Sequence, residues 1–307
     1  MDQKRFRGVV VPMVTPVHED GTLDSAAVER IVSFFAHSGV SPLLMGTTGE
    51  GNSVSQHDGL LMVEAAVSAR NTHNATFNPR TPSLIYAGLT GNCFAEQLRQ
   101  ASAYARAGAD VIVATLPTYY ALTPDQMRHY YLSLADAVEA PLMLYNILAT
   151  THMSIPVDIV RELSAHPNIV GLKDSERDLD RMAQCIAIAR EQQGFAYFCG
   201  WAAQSAHALA TGADGIVPST GNYVPQLFRQ LYEAAICGDT AEANRLQTLT
   251  DGIARIYQEG RTLGQSLAAL KVMMQTKGLC EPWMLMPLTR LSAEEEQTIK
   301  ERAYALD

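Results

Sequence analysis

No two cysteines of the chain stand in C-x-x-C spacing; the five present, Cys93, Cys185, Cys199, Cys237 and Cys280, are odd in number and far apart. A zinc knuckle or dithiol redox motif is thereby excluded, and reduced thiols in a cytoplasm are expected. Long hydrophobic runs are absent too. The charged amino terminus, Met1 to Gly8, is followed by a short apolar stretch broken at Pro12, which suits neither a signal peptide nor a membrane span. Positive charge is scarce, 23 Lys and Arg against 32 Asp and Glu, so at a net charge of -9 no extended surface for nucleic acid or anionic membrane is expected. A Gly-x-Ser-x-Gly nucleophile elbow is missing, and the eight histidines are scattered rather than clustered with acids, so neither a serine triad, a metal nor any other cofactor is assigned.

Apolar residues make up 47% of the 307 positions and charged residues 18%, the balance of a globular protein with a sizeable core. Short runs rich in β-branched residues recur at Val9 to Val14, Leu43 to Met45, Leu84 to Ala87, Val111 to Leu116, Leu142 to Tyr145, Ile169 to Leu172, Phe195 to Phe198 and Gly215 to Val217. Their hydrophobicity is near-continuous rather than alternating, which predicts parallel strands buried on both faces. Helical punctuation lies between them. Asp24 caps a helix running to about His37 and stopped at Gly39, Thr123-Pro124-Asp125-Gln126 is a capping box with proline at the first helical position, and Gly108 and Gly212 end two further helices.

Eight β-then-α alternations predict an α/β fold of the (β/α)8 TIM-barrel type. Beyond the eighth run the chain reads as helices only, punctuated at Gly238, Gly260 and Gly278, the last opening with the capping box Ser292-Ala-Glu-Glu295. The expected division is therefore a barrel core over 1–223 and, over 224–307, the last barrel helix with a C-terminal helical extension, packed as one unit. No linker separates them, and no repeat or low-complexity tract is present.

Chemistry in such a barrel gathers where the strands' carboxyl ends meet. Lys173 closes the apolar run Ile169-Val-Gly-Leu172. A lysine there either snorkels to solvent or is held for chemistry: removed from water its pKa falls, and its neutral amine attacks ketones. Tyr145, at the fifth strand end, is either a core aromatic with a wet hydroxyl or a proton relay. After the second run, Gly46-Thr47-Thr48-Gly49-Glu50 can turn backbone N–H groups and hydroxyls toward a carboxylate or phosphate, although such turns are also ordinary loop material. An amine, a phenol and an anion-gripping turn together suit Schiff-base chemistry on a 2-keto acid.

These segments, with Gly8-Val-Val-Val-Pro-Met-Val-Thr-Pro16, Tyr145-Asn146 and Gly171-Leu-Lys-Asp174, resemble the dihydrodipicolinate synthase / N-acetylneuraminate lyase family of pyruvate-type class I aldolases, from about Phe6 to the carboxyl end. The resemblance implies a lyase or aldolase that cleaves or condenses pyruvate or a related 2-keto acid with an aldehyde through a lysine imine, usually as a homotetramer. It makes Lys173 the Schiff-base lysine, Tyr145 and Thr47 the proton relay, and Thr48 with Gly46 the carboxylate binders. Gly200 and Val217, at the seventh and eighth strand ends, join the substrate side. Tyr120, in Thr118-Tyr119-Tyr120, matches a tyrosine that some members lend to a neighbouring subunit, so a dimer or tetramer is expected. A dehydratase using the same imine, and a non-catalytic keto-acid-binding paralogue, remain the alternatives.

Three departures bear on the substrate. Thr150 stands where synthases carry an arginine for the second substrate's carboxylate, Trp201-Ala202-Ala203 where sialic-acid lyases place acids, and Leu148 where a proline is usual. An acceptor less acidic and less hydroxylated than those of the two branches is expected.

Overall fold

The computed structural model describes residues 4–79 and 82–306; Met1 to Gln3 of the charged amino terminus and Asp307, the last residue of the expected extension, lie outside them. Eight parallel strands close into a barrel in sequence order: β1 (Gly8–Pro12), β2 (Ser41–Leu44), β3 (Tyr86–Leu89), β4 (Val111–Thr115), β5 (Leu142–Asn146), β6 (Ile169–Asp174), β7 (Ala196–Cys199) and β8 (Gly215–Ile216). Every strand residue except the first of β2 is buried, as near-continuous hydrophobicity predicts for strands covered on both faces. Closure falls to the two-residue β8, which pairs Gly8 with Gly215 and Val9 with Ile216. Gly215 must be glycine for this: a Cβ there would sit 2.3 Å from the Phe198 ring.

Side chains of Val10, Leu43, Tyr86, Val113, Met143, Tyr145, Phe198 and Val217 fill the barrel interior as one cluster, while a larger cluster lies between the strands and the surrounding helices. The helix predicted from Asp24 spans Ser25–His37, with the Asp24 carboxylate accepting from the Ala27 N–H. The boxes at Thr123 and Ser292 both form, opening Pro124–Ala137 and Ala293–Tyr304. All six glycines expected to stop helices adopt left-handed φ values, from 67° at Gly278 to 101° at Gly212.

After β8 come helices Pro225–Ile236, Thr240–Gln258, Leu263–Thr276 and Ala293–Tyr304. They share the outer core: Leu246, Ile253, Leu270, Met273 and Ile299 belong to the same buried cluster as the barrel helices. No helix among the described residues is long and apolar enough to cross a membrane.

Candidate active site

The strand pleat sends alternate residues to opposite faces, and this sorts the ends of β5 and β6. Register places Tyr145 beside Lys173 and Lys173 beside Phe198; Tyr145 and Phe198 both belong to the interior cluster, so the lysine stands between two aromatics at the mouth. Its Nζ lies 3.7 Å from the centroid of the Tyr145 ring, and Lys173 is only 3% exposed. Among the described residues no carboxylate reaches it as an ion-pair partner. Its contrast is Lys271, equally buried, which lies 2.6 Å from Glu50. A buried lysine kept for structure brings a counter-ion; Lys173 has the Tyr145 ring face instead.

The Tyr145 hydroxyl shares a hydrogen bond of 3.1 Å with Thr47 Oγ1. Thr47 lies in the turn after β2, which is bracketed by two non-glycine residues in left-handed conformation, Met45 (φ 48°) and Glu50 (φ 54°). Conformations of that kind persist only where surrounding contacts over-determine them. Here the turn is pressed on the strand end: a Cβ at Gly51 would meet the Met45 carbonyl oxygen at 2.0 Å, and the Gly51 N–H donates to the Gly46 carbonyl. Among the described residues the N–H groups of Thr47 and Thr48 have no intramolecular acceptor.

A cavity of about 350 Å³ opens beside this turn, lined by Thr47, Thr90, Thr115, Thr118, Thr150 and Thr151 below and by Leu263, Leu267, Pro287 and Leu288 of the C-terminal part above. No lysine or arginine lines it. Trp201, Ala202 and Ala203 do not line it either. Trp201 packs on the core, and the Ala202 carbonyl accepts from Gln247 of helix Thr240–Gln258. The wall of this cavity is therefore made of threonines and C-terminal apolar residues, and that segment takes no part in it.

The other expected residues are placed as follows. Gly46 lines the cavity and Thr48 is buried within the turn. Gly200 donates its N–H to the Asp174 carbonyl at 2.7 Å, holding β6 to the segment after β7, and Val217 is in the barrel interior. Tyr120 is 72% exposed, stacked edge-to-face on Tyr119, and makes no contact with Tyr145 or Thr47. Apart from these, the segment after β8 is engaged in structure: the hydroxyls of Ser219 and Thr220 are held by Tyr257, and Asn222 bonds back to β1, so their side chains brace the barrel seam.

Facing away from the mouth, Asn146 and Asp174 tie the same two strand ends together. Asn146 donates to the Asp174 carboxylate at 3.0 Å, Arg181 Nε donates to its other oxygen at 2.7 Å, and Glu176 also pairs with both Asn146 and Arg181. Burial pushes the Asp174 carboxyl up, against the opposing pull of the Arg181 guanidinium. The thiols of Cys185 and Cys199 are pushed up by burial to about 12, so neither supplies a thiolate at neutral pH. Arg181→Met should leave Asp174 buried and uncompensated, lowering stability by about 3–5 kcal/mol; urea unfolding followed by circular dichroism measures this.

An unpaired amine at a barrel mouth, beside a phenol bonded to a threonine hydroxyl, is the arrangement of a Schiff-base-forming lyase or aldolase. The model of the Dihydrodipicolinate synthetase family matches residues 5–306. The chain is 31% identical to the 4-hydroxy-tetrahydrodipicolinate synthase of Azoarcus sp. (strain BH72) over 287 residues, 93% of each chain. It superposes on the dihydrodipicolinate synthase of Bacteroides thetaiotaomicron with a TM-score of 0.90 at 25% identity, covering 100% of both chains. Against the chloride-inhibited dihydrodipicolinate synthase of Acinetobacter baumannii, solved in complex with pyruvate, the TM-score is 0.84 at 26% identity, covering 97% of this chain and 98% of that one. The chain belongs to the dihydrodipicolinate synthetase family.

Proposed function

We propose that the chain joins or cleaves pyruvate, or a close 2-keto acid, and an aldehyde through an imine on Lys173. The observation carrying this is the buried amine without a carboxylate partner, 3.7 Å from the Tyr145 ring. The amine adds to the ketone carbon, and loss of water leaves the imine. Removal of a proton from the adjacent carbon gives an enamine, whose carbon attacks the aldehyde; water then releases the product and restores the amine. Tyr145 and Thr47, 3.1 Å apart, move the protons. The free N–H groups of Thr47 and Thr48 hold the keto-acid carboxylate, with Gly46 shaping the turn and Gly200 and Val217 completing the floor. The relative complexed with pyruvate supports this choice of keto acid. Pyruvate together with borohydride should inactivate the protein irreversibly while borohydride alone does not; equal inactivation with and without pyruvate would count against it.

Acceptor choice follows from the cavity. With Thr150 in the wall and no cation lining it, a carboxylate on the aldehyde would lose a charge-assisted hydrogen bond of about 1.5–3 kcal/mol. Neutral, hydrogen-bonding aldehydes should therefore exceed aspartate semialdehyde in kcat/KM by roughly ten- to a hundredfold. Hydroxyl groups are accommodated, because six threonines line the cavity and Trp201 to Ala203 do not. Steady-state kinetics with pyruvate and an aldehyde panel decide this, and efficient use of aspartate semialdehyde would refute it.

The working unit is a homo-oligomer, dimer or tetramer, in which Tyr120 of one chain completes a neighbour's site. Tyr119 and Tyr120 are 77% and 72% exposed, and aromatic anchors of this kind dominate interface energetics. Tyr120→Ala should weaken association and lower turnover together. Light scattering over a dilution series, paired with activity, would show native assembly and native turnover if the tyrosine had no such role.

A further inference from the structure

Glu50 follows the Thr47-Thr48 turn by two residues and holds a left-handed backbone at φ 54° that its own side-chain type does not favour. Its carboxylate is wholly buried and meets two groups of the C-terminal part: Oε1 forms an ion pair with Lys271 Nζ at 2.6 Å, and Oε2 accepts from the Leu285 N–H at 2.8 Å. Lys271, in the buried middle of helix Leu263–Thr276, also donates to the Trp283 carbonyl at 2.6 Å. Leu263, Gly264 and Leu267 of that helix, and Pro287 and Leu288 just past Leu285, line the cavity together with Thr47. One carboxylate thus joins the turn, the helix and the segment over the cavity.

Stability alone is a weak reason for such a pair, because well-packed apolar side chains of similar volume stabilise a core as well or better than buried opposite charges. What a buried ion pair at contact distance supplies, with the Leu285 N–H bonded to the same carboxylate, is position: separating the charges in the interior is costly, so only small displacements are tolerated. The turn is already wedged against the strand end at Gly51, so the Glu50 tie sets its remaining freedom. We propose that Lys271 is a positioning residue which, through Glu50, sets the Thr47-Thr48 turn and makes the C-terminal helices part of the active site. The proposal rests on the role given above to Thr47 and Thr48.

Three variants test it: Lys271→Met, Glu50→Gln and the double variant. A misplacement of about 1 Å costs on the order of a hundredfold in rate. Lys271→Met should accordingly lower kcat by about a hundredfold and raise KM for pyruvate, whose carboxylate the turn grips. Borohydride trapping at saturating pyruvate should still reach completion at Lys173, which sits on β6 and is braced by Asp174 and Arg181. Glu50→Gln leaves one acceptor oxygen for two donors and strands the Lys271 charge, so it should lower kcat as Lys271→Met does. The double variant removes the unpaired charge, so its melting temperature should recover while kcat stays low. Recovery of kcat in step with melting temperature, or wild-type kcat and KM in folded Lys271→Met, would overturn the proposal. Should Lys271→Met not fold, the comparison of Glu50→Gln with the double variant decides by the same criterion. Failure of the wild-type protein to be trapped at Lys173 would remove the reaction itself, and the positioning role with it.

Discussion

Lys173→Ala is expected to reduce turnover to background while leaving the fold intact. Without the ε-amine no imine forms, and the alternative nucleophiles nearby are disabled: burial holds the Cys199 thiol at about 12, and the Asp174 carboxylate points to the other face of β6 and is engaged by Arg181 and Asn146. Stability should be retained, because Lys173 has no ion-pair partner to strand, and removing a buried amine relieves desolvation in exchange for a small void. Melting followed by circular dichroism together with product formation separates the two quantities. A variant that is folded and still active would exclude covalent catalysis at this residue.

Tyr145→Phe should lower kcat by about 10²–10⁴-fold, the usual contribution of a positioned acid–base group. The change removes one oxygen and keeps the ring that faces Lys173 at 3.7 Å. Structurally it forfeits only the bond to Thr47, a net effect of about 0.5–1.5 kcal/mol. Trapping at long times should persist, even where imine formation is slower, because the amine is untouched. An unchanged kcat would mean that another group carries the proton.

Much of this molecule is legible in its sequence, for reasons that are local. Parallel strands buried on both faces announce themselves as apolar runs, and glycine at a helix end reports a left-handed backbone. The third strand is the instructive displacement. The run Leu84 to Ala87 predicts it, yet it spans Tyr86–Leu89. The Leu84 and Ile85 N–H groups donate to the side chains of Ser41 and Asp110 instead of to a neighbouring strand. No pattern of hydrophobicity carries that information.

Lys173 was findable because a lysine closing an apolar run is out of place. By the same reasoning Lys271 is conspicuous, set in Leu267-Ala-Ala-Leu-Lys-Val-Met-Met274, but its meaning depends on Glu50, which belongs to a distant strand end. The Leu285 N–H and Glu50 meet across 235 positions of chain. Long-range pairing of this sort also builds the cavity: it lies over the ends of β2 to β5 beneath the C-terminal part, whereas proximity in sequence to the end of β7 points to Trp201 to Ala203, which do not line it.

The most direct test of the imine assignment is peptide mapping by mass spectrometry after reduction of the protein with borohydride in the presence of pyruvate. A single pyruvate-derived adduct on the peptide containing Lys173, absent without pyruvate and absent in Lys173→Ala, is the predicted result. An adduct on Lys271 or another lysine, or none at all in active protein, would contradict it.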